Sequence, residues 1–205
     1  MHIALKGVVR IITGFLLLYL STILEQYPIL TRFFLSQLLL LAGLSLILHF
    51  GILNLATAGW RALGVNVSEL FRSPFRSKSL KEFWGKRWNI AFSEMTALVA
   101  YRPLKTKIGV EKAVIVSFLL SGLLHEIAIS LPVRTGYGLP MIYFALHACA
   151  MQLEAKSPLI QKITQHKLLS HVWVMTLLVL PMPLLFHTAF MQHVLIPLRT
   201  VLLFR

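Results

Sequence analysis

Of 205 residues, 57% are hydrophobic and only 13% charged, a balance too apolar for an ordinary soluble domain and one that belongs to an integral membrane protein. Twenty Lys and Arg stand against seven acidic residues, all Glu, for a formal net charge of +13. The basic residues fall between apolar runs, so they speak for orientation in a bilayer and contact with anionic headgroups or phosphates, and against nucleic acid.

The first candidate span, Val8 to Leu24, has Lys6 and Arg10 ahead of its apolar run Ile11 to Leu24, which ends at Glu25-Gln26-Tyr27-Pro28. It lacks a small-residue cleavage site and reads as a retained span, not a signal peptide. Phe33 to Leu55 supplies a second span. The following stretch, residues 59–112, reads as one unit on the cytosolic face, holding more than half of the basic residues. Inside it, Ile90 to Tyr101 is only about a dozen residues long and carries Ser93 and Glu94, so it is expected to be re-entrant or interfacial. Leu80, Phe83, Trp84, Trp88 and Phe92 recur at spacings of three and four, which predicts one amphipathic helix with its aromatic side in the headgroup region. Lys78, Lys81, Gly85 and Lys86 fall elsewhere on that wheel.

Further spans are expected at Ala113 to Leu131, Leu139 to Leu153 and Leu168 to Phe186, with a weaker one from Thr188 to Phe204 interrupted by Pro197 and Arg199. Cys149, the sole cysteine, excludes an intrachain disulfide and a thiolate metal cluster. The fold class is therefore all-α: a polytopic transmembrane protein of about six spans plus interfacial helices, organised as a single domain over 1–205. With the N-terminus in the cytosol, the far-side loops carry only Arg32 and Arg134, and Arg199 lies near the cytosolic end of the last span, as the positive-inside rule requires.

His125-Glu126 lies inside the third apolar run, where an ionisable pair is a functional hypothesis by default. A histidine kept neutral by burial in an apolar helix is suited to accept a proton as a general base. His125 stands roughly 18 Å along the helix from Ala113 at ~1.5 Å per residue, so a water-soluble donor needs a tunnel to reach it. The basic unit before it could hold that donor's phosphates at the mouth. Glu126 points about 100° away from His125; it is expected either to pair with Arg102, Lys105 or another buried donor, or to fix a neighbour's tautomer. Ser121 shares the face of His125 four residues earlier, which permits an acyl-serine route, although close helix packing through Ser121-Gly122 is the preferred reading. His147, one turn after Tyr143, could line the same cavity. His49, His166, His171, His187 and His193 are assigned to span ends, and no metal-ligand spacing is apparent. The sequence has no Gly-x-Ser-x-Gly motif and no phosphate-binding glycine loop.

Three blocks together carry a resemblance: Arg72-Ser-Pro-Phe-Arg-Ser-Lys-Ser-Leu-Lys-Glu-Phe-Trp-Gly-Lys-Arg-Trp-Asn89, Tyr101-Arg-Pro-Leu104 and Ser121-Gly-Leu-Leu-His-Glu126. In residue type, order and spacing they resemble the wax synthase-like branch of the membrane-bound O-acyltransferases, most strongly between about residues 70 and 154. The resemblance implies an O-acyltransferase that passes an acyl group from acyl-coenzyme A to a lipophilic alcohol, with acyl-coenzyme A as co-substrate and no permanently bound cofactor or metal. His125 matches the family's histidine and Asn89 the polar residue of the first block, which makes these two the catalytic candidates. Asn89 would either donate to the thioester carbonyl or orient the acceptor hydroxyl. Arg72, Trp84, Lys86, Arg87 and Trp88 are the substrate-binding candidates, with Glu126, Ser121 and His147 in support. The chain is short for that superfamily, with fewer N-terminal spans. Two other readings stand beside it: a small transporter using His125-Glu126 as a proton relay, and a non-catalytic membrane scaffold derived from an acyltransferase. A multi-pass location in a bacterial inner membrane or the endoplasmic reticulum is expected in each case.

Overall fold

The computed structural model describes residues 2–27 and 30–204. Pro28 and the side chain of Arg32, both invoked above, lie outside the described residues. In chain order the α-helices are α1 (His2–Glu25), α2 (Leu30–Ser45), α3 (Leu53–Ala62), α4 (Leu80–Glu82), α5 (Ile90–Thr96), α6 (Arg102–Ile108) and α7 (Val110–His125), then α8 (Leu131–Val133), α9 (Leu139–Lys156), α10 (Pro158–Gln165), α11 (Lys167–Val179), α12 (Met182–Leu185), α13 (Thr188–Phe190) and α14 (Ile196–Leu202). Wider π-helical stretches at Leu46–Ile52, Ala97–Tyr101, Glu126–Ser130 and Met191–Leu195 join several of them without a loop, and another, Phe83–Arg87, continues α4.

Four helical runs among the described residues are long and apolar enough to cross a membrane: His2–Glu25, Phe34–Ala62, Val110–Val133 and Lys167–Leu185. They correspond to four of the expected spans. The chain is an all-helical, polytopic membrane protein. The fourth expected segment, Leu139 to Leu153, forms α9, an 18-residue helix. The weak sixth is broken: Thr188–Phe190 is a single turn, a π stretch follows, and Pro197 stands in the first turn of α14. Proline is tolerated there because the first amides of a helix have no carbonyl to meet.

The backbone gathers into two compact units, Met1–Phe71 with Gln192–Arg205, and Arg72–Met191. In the first, α1 packs along the run from α2 through Leu46–Ile52. A Cβ on Gly14 would stand 2.6 Å from Ile47 and 2.8 Å from the Gly43 carbonyl, and one on Gly43 would stand 2.8 Å from Leu18. Only glycine lets the backbones approach this closely, the small-residue packing of helices in lipid. At the end of α1, Arg199 is buried and donates from Nη1 to Glu25 Oε1 at 2.9 Å and to Ser21 Oγ at 3.1 Å, and from Nη2 to Glu25 Oε2 at 2.6 Å. Arg199 therefore sits level with Glu25, at the opposite end of α1 from Lys6 and Arg10. This corrects the expectation that Arg199 lies on the same side as the N-terminus: a buried guanidinium goes where a carboxylate can neutralise it, whatever the loop statistics favour. His49 also departs from expectation. It lies in the middle of the run Phe34–Ala62, with Nδ1 3.1 Å from Ser45 Oγ and its ring 5.1 Å from that of Phe71.

In the second unit α7 packs lengthwise on α9. Gly122 faces Met141 so closely that a Cβ would come within 2.9 Å of its sulfur, in keeping with the packing role expected at Ser121-Gly122.

Candidate active site

The tryptophan block does not form one amphipathic helix. Its first turn is α4, the ladder then widens at Phe83–Arg87, and Trp88 closes it by donating its amide to the Phe83 carbonyl at 2.8 Å. Asn89 takes a left-handed conformation (φ 41°) that ends the helix and starts α5. The aromatic side packs against protein. Leu80 and Phe83 are buried against Ala150 of α9 and Val174 and Leu178 of α11, with Trp84, Trp88 and Trp173 around them. Three bulky aromatics can remove more apolar surface by packing on two neighbouring helices than by lying at an interface.

Two carboxylates hold this block in place. Ser79 Oγ accepts from the Glu82 amide at 3.0 Å while Glu82 Oε2 accepts from the Lys78 amide at 2.8 Å, a reciprocal cap of α4. Burial pulls the Glu82 carboxyl upward, but the Lys78 amide and the Arg87 guanidinium outweigh it and hold the group below the usual carboxylate range. Arg87 in turn donates from Nε and Nη2 to Glu82 Oε1, and from Nη1 to the carbonyls of Arg72 and Ser73. From α9, Glu154 accepts the Leu80 amide on both oxygens, at 2.8 and 3.0 Å, and the Trp173 Nε1–H at 2.9 Å. One carboxylate thus fastens the block to two helices at the amide-rich end of α4, where negative charge is favoured.

The block delivers Trp84 to His147, and Phe144 links it to His125. His125 Nδ1–H donates to the Ser121 carbonyl at 2.7 Å, and His147 Nδ1–H donates to the Tyr143 carbonyl at 2.9 Å. A carbonyl only accepts, so each bond puts the hydrogen on Nδ1 and leaves Nε2 with a lone pair. Phe144 joins the two: its ring centroid lies 4.4 Å from His125 and 5.8 Å from Trp84, and Trp84 meets His147 edge to face at 5.4 Å. Phe92 faces the other side of His125 at 6.4 Å. Asn89 Oδ1 caps α5 by accepting the Phe92 amide at 3.3 Å, which leaves Nδ2 as the side chain's donor. The structure thus sets Trp84, His125 and His147 on one aromatic wall, with Asn89 at the helix start that carries Phe92.

The remaining candidates are placed elsewhere. Ser121 Oγ donates to the Ser117 carbonyl at 3.1 Å. Lys86 is exposed, as is Arg72, whose amide donates to the Arg87 carbonyl at 2.9 Å. The bonds formed by Glu126 involve neither Arg102 nor Lys105, both of which are exposed. Its Oε1 instead accepts the amides of Gly138 at 2.8 Å and Met141 at 3.1 Å, capping α9, while Oε2 is buried without a partner. A free helix N-terminus 12 residues on offers a carboxylate donors without the cost of drawing a hydrated cation inward. Nearby, the buried His187 ring lies over Gly136, accepts the Phe190 amide at Nδ1 and has no partner at Nε2. Among the described residues no group of three His, Cys, Asp or Glu could hold a metal.

Sequence reasoning missed Glu154, Ser93 and Phe144. Ser93 Oγ donates to the Trp84 carbonyl at 2.6 Å and contacts that of Trp88 at 3.3 Å. Glu154 had a legible signal, a carboxylate at the end of an apolar run; Ser93 and Phe144 had none.

Residues 67–146 match the model of the membrane bound O-acyl transferase family. The matched segment, less than half of the chain, is similar to that family. It contains the tryptophan block, the His125 helix and His147's neighbours on α9. The long-chain-alcohol O-fatty-acyltransferase of Simmondsia chinensis is 34% identical over 73 residues, 32% of this chain and 21% of the relative. The probable long-chain-alcohol O-fatty-acyltransferase 6 of Arabidopsis thaliana is 30% identical over 111 residues, 49% of this chain and 32% of the relative. A diacylglycerol O-acyltransferase 1-1 of Oryza sativa subsp. japonica is 33% identical over 67 residues, 32% of this chain and 12% of the relative. The aligned segments thus span a third or less of these transferases. No solved structure matches the chain.

Proposed function

We propose that the chain is an acyl-coenzyme A:alcohol O-acyltransferase acting on a lipophilic alcohol, with His125 as general base. The observation that carries this reading is the His125 tether: with Nδ1–H donated to Ser121, Nε2 is the free lone pair, held on a rigid helix within an apolar wall. In the reaction, Nε2 takes the hydroxyl proton as the alcohol oxygen attacks the thioester carbonyl. The new C–O bond forms, the C–S bond breaks, and the thiolate leaves with the proton returned from His125. Asn89 Nδ2 is the donor assigned to the carbonyl oxygen as charge develops there. The exposed cations Arg76, Lys78, Lys81 and Lys86 around the block suit the coenzyme's phosphates, and the cytosolic placement of that face and of the N-terminus belongs to the same reading.

The test is acyl transfer in isolated membranes, with labelled acetyl- and palmitoyl-coenzyme A and a panel of alcohols. Wild type should form ester. His125→Ala should lose it by 10²-fold or more, the range for removal of a general base, and Asn89→Ala should lower kcat more than it raises KM. Ester formation by His125→Ala at the wild-type rate would remove His125 from the mechanism.

A further inference from the structure

Two buried polar atoms on the aromatic wall have no hydrogen-bond partner, and they are of opposite kind. His147 is 1% exposed, and its Nδ1–H is committed to Tyr143, so its unpartnered Nε2 is an acceptor. Trp84 Nε1 is likewise buried without a partner, and an indole nitrogen is only a donor. The two rings are neighbours, perpendicular at 5.4 Å. Leaving a buried polar atom unmet is costly, and here two are unmet on adjoining rings. A hydroxyl is the smallest group that answers both, since its oxygen can accept one hydrogen bond and give one.

The geometry points to a hydroxyl-binding subsite at Trp84 Nε1 and His147 Nε2, which holds the acceptor alcohol by its oxygen before transfer. Its assignment to the acceptor rests on the proposed function. Trp84 donates to the oxygen, and the hydroxyl donates to His147. Tyr143 and Phe144 are buried on the same wall, the Tyr143 ring centroid 4.3 Å from that of His147, so the surroundings of the two polar atoms are apolar, as a lipophilic chain requires. Proton removal stays with His125. The hydroxyl hydrogen turns freely about its C–O bond and leaves His147 when the thioester is engaged. In this arrangement His147 and Trp84 set the affinity for alcohol, and His125 sets the rate.

The experiment measures binding, not transfer. Full-length protein in lipid nanodiscs is loaded with labelled 1-dodecanol and competed with unlabelled 1-dodecanol, dodecyl methyl ether and dodecane. The ether accepts but cannot donate, and the alkane does neither. Wild type should prefer alcohol over ether and ether over alkane, each by about fivefold, the equivalent of one hydrogen bond near 1 kcal/mol. Trp84→Phe should abolish the preference of ether over alkane. His147→Asn, which keeps a donor for the Tyr143 carbonyl but lacks the Nε2 atom, should abolish that of alcohol over ether.

The wild-type series needs no variant to fold: equal competition by all three ligands overturns the subsite. So does a wild-type preference that persists in both variants, which would leave the two atoms to bound water only. The transfer assay separates this proposal from the one it rests on. Ester formed without Trp84- and His147-dependent alcohol preference removes the subsite alone, whereas that preference without ester removes the transfer reading and keeps the hydroxyl site.

Discussion

Neighbouring side chains in sequence can serve wholly different ends, and His125 and Glu126 do. One presents a lone pair to an aromatic wall, and the other caps the helix packed against it. The imidazole was legible from its place in an apolar run; the partner of the carboxylate was not, because a helix N-terminus has no residue letter. Arg199 teaches the same lesson. Its position in the sequence suggested the cytosolic end, but its pairing with Glu25 depends on a helix 174 residues away. Both oxygens of Glu25 are engaged and the guanidinium side chain is 5% exposed, so removing one partner strands the other. Arg199→Ala should destabilise the protein by about 3–5 kcal/mol, whereas the double replacement Arg199→Leu with Glu25→Leu should cost much less, since no charge is left buried. Thermal unfolding in detergent by circular dichroism compares them, and equal losses in the two would show that the pair carries no buried charge penalty.

At the level of the element, the periodic aromatic pattern located the block but misjudged its surroundings. Periodicity reports that a face is apolar, and lipid and protein satisfy it equally well. The break at Asn89 was hidden because asparagine serves both as a helix cap and as a helix-interior residue of ordinary propensity. The capping pair Ser79 and Glu82 was readable, since Ser-x-x-Glu is a helix-start signature. Its chemistry gives a pH dependence. The Glu82 carboxyl is held below its ordinary value near 4.5, so it contributes stability that is complete above that value and is lost as pH falls through the lowered native one. Hydrogen exchange at the amides of Lys78 to Arg87 should therefore be independent of pH-induced opening between 5 and 7 and should show added opening below about 4.5; Glu82→Gln should abolish the acid-induced change. Protection that fades equally in both proteins would assign the effect to other carboxylates.

For the molecule as a whole, composition and the apolar runs led to the right class, and the motifs pointed to the family whose model matches residues 67–146. What they could not give was tertiary assembly: which helix meets which, and where each buried polar atom finds its complement. Val110–Val133 is 24 residues of helix, about 36 Å at ~1.5 Å per residue and enough to cross a hydrocarbon core of about 30 Å. Its two ends should thus open on opposite faces. With the exposed Cys149 replaced by alanine, Lys107→Cys should react with a membrane-impermeant maleimide only from the cytosolic side, and Tyr137→Cys only from the other. Labelling of both from one side would mean that this helix does not cross.

The wide helical turns at Phe83–Arg87 and Glu126–Ser130 have one more implication. The first lies inside a signature block and the second begins at the last residue of another, and each closes its hydrogen bonds five residues apart instead of four. Such a turn holds one residue more than the α-turn it replaces, so the loss of a single residue can be absorbed there by reverting to α geometry while the flanking helix keeps its register. The two blocks richest in chemistry are therefore also the places where this lineage can gain or lose one amino acid at least cost.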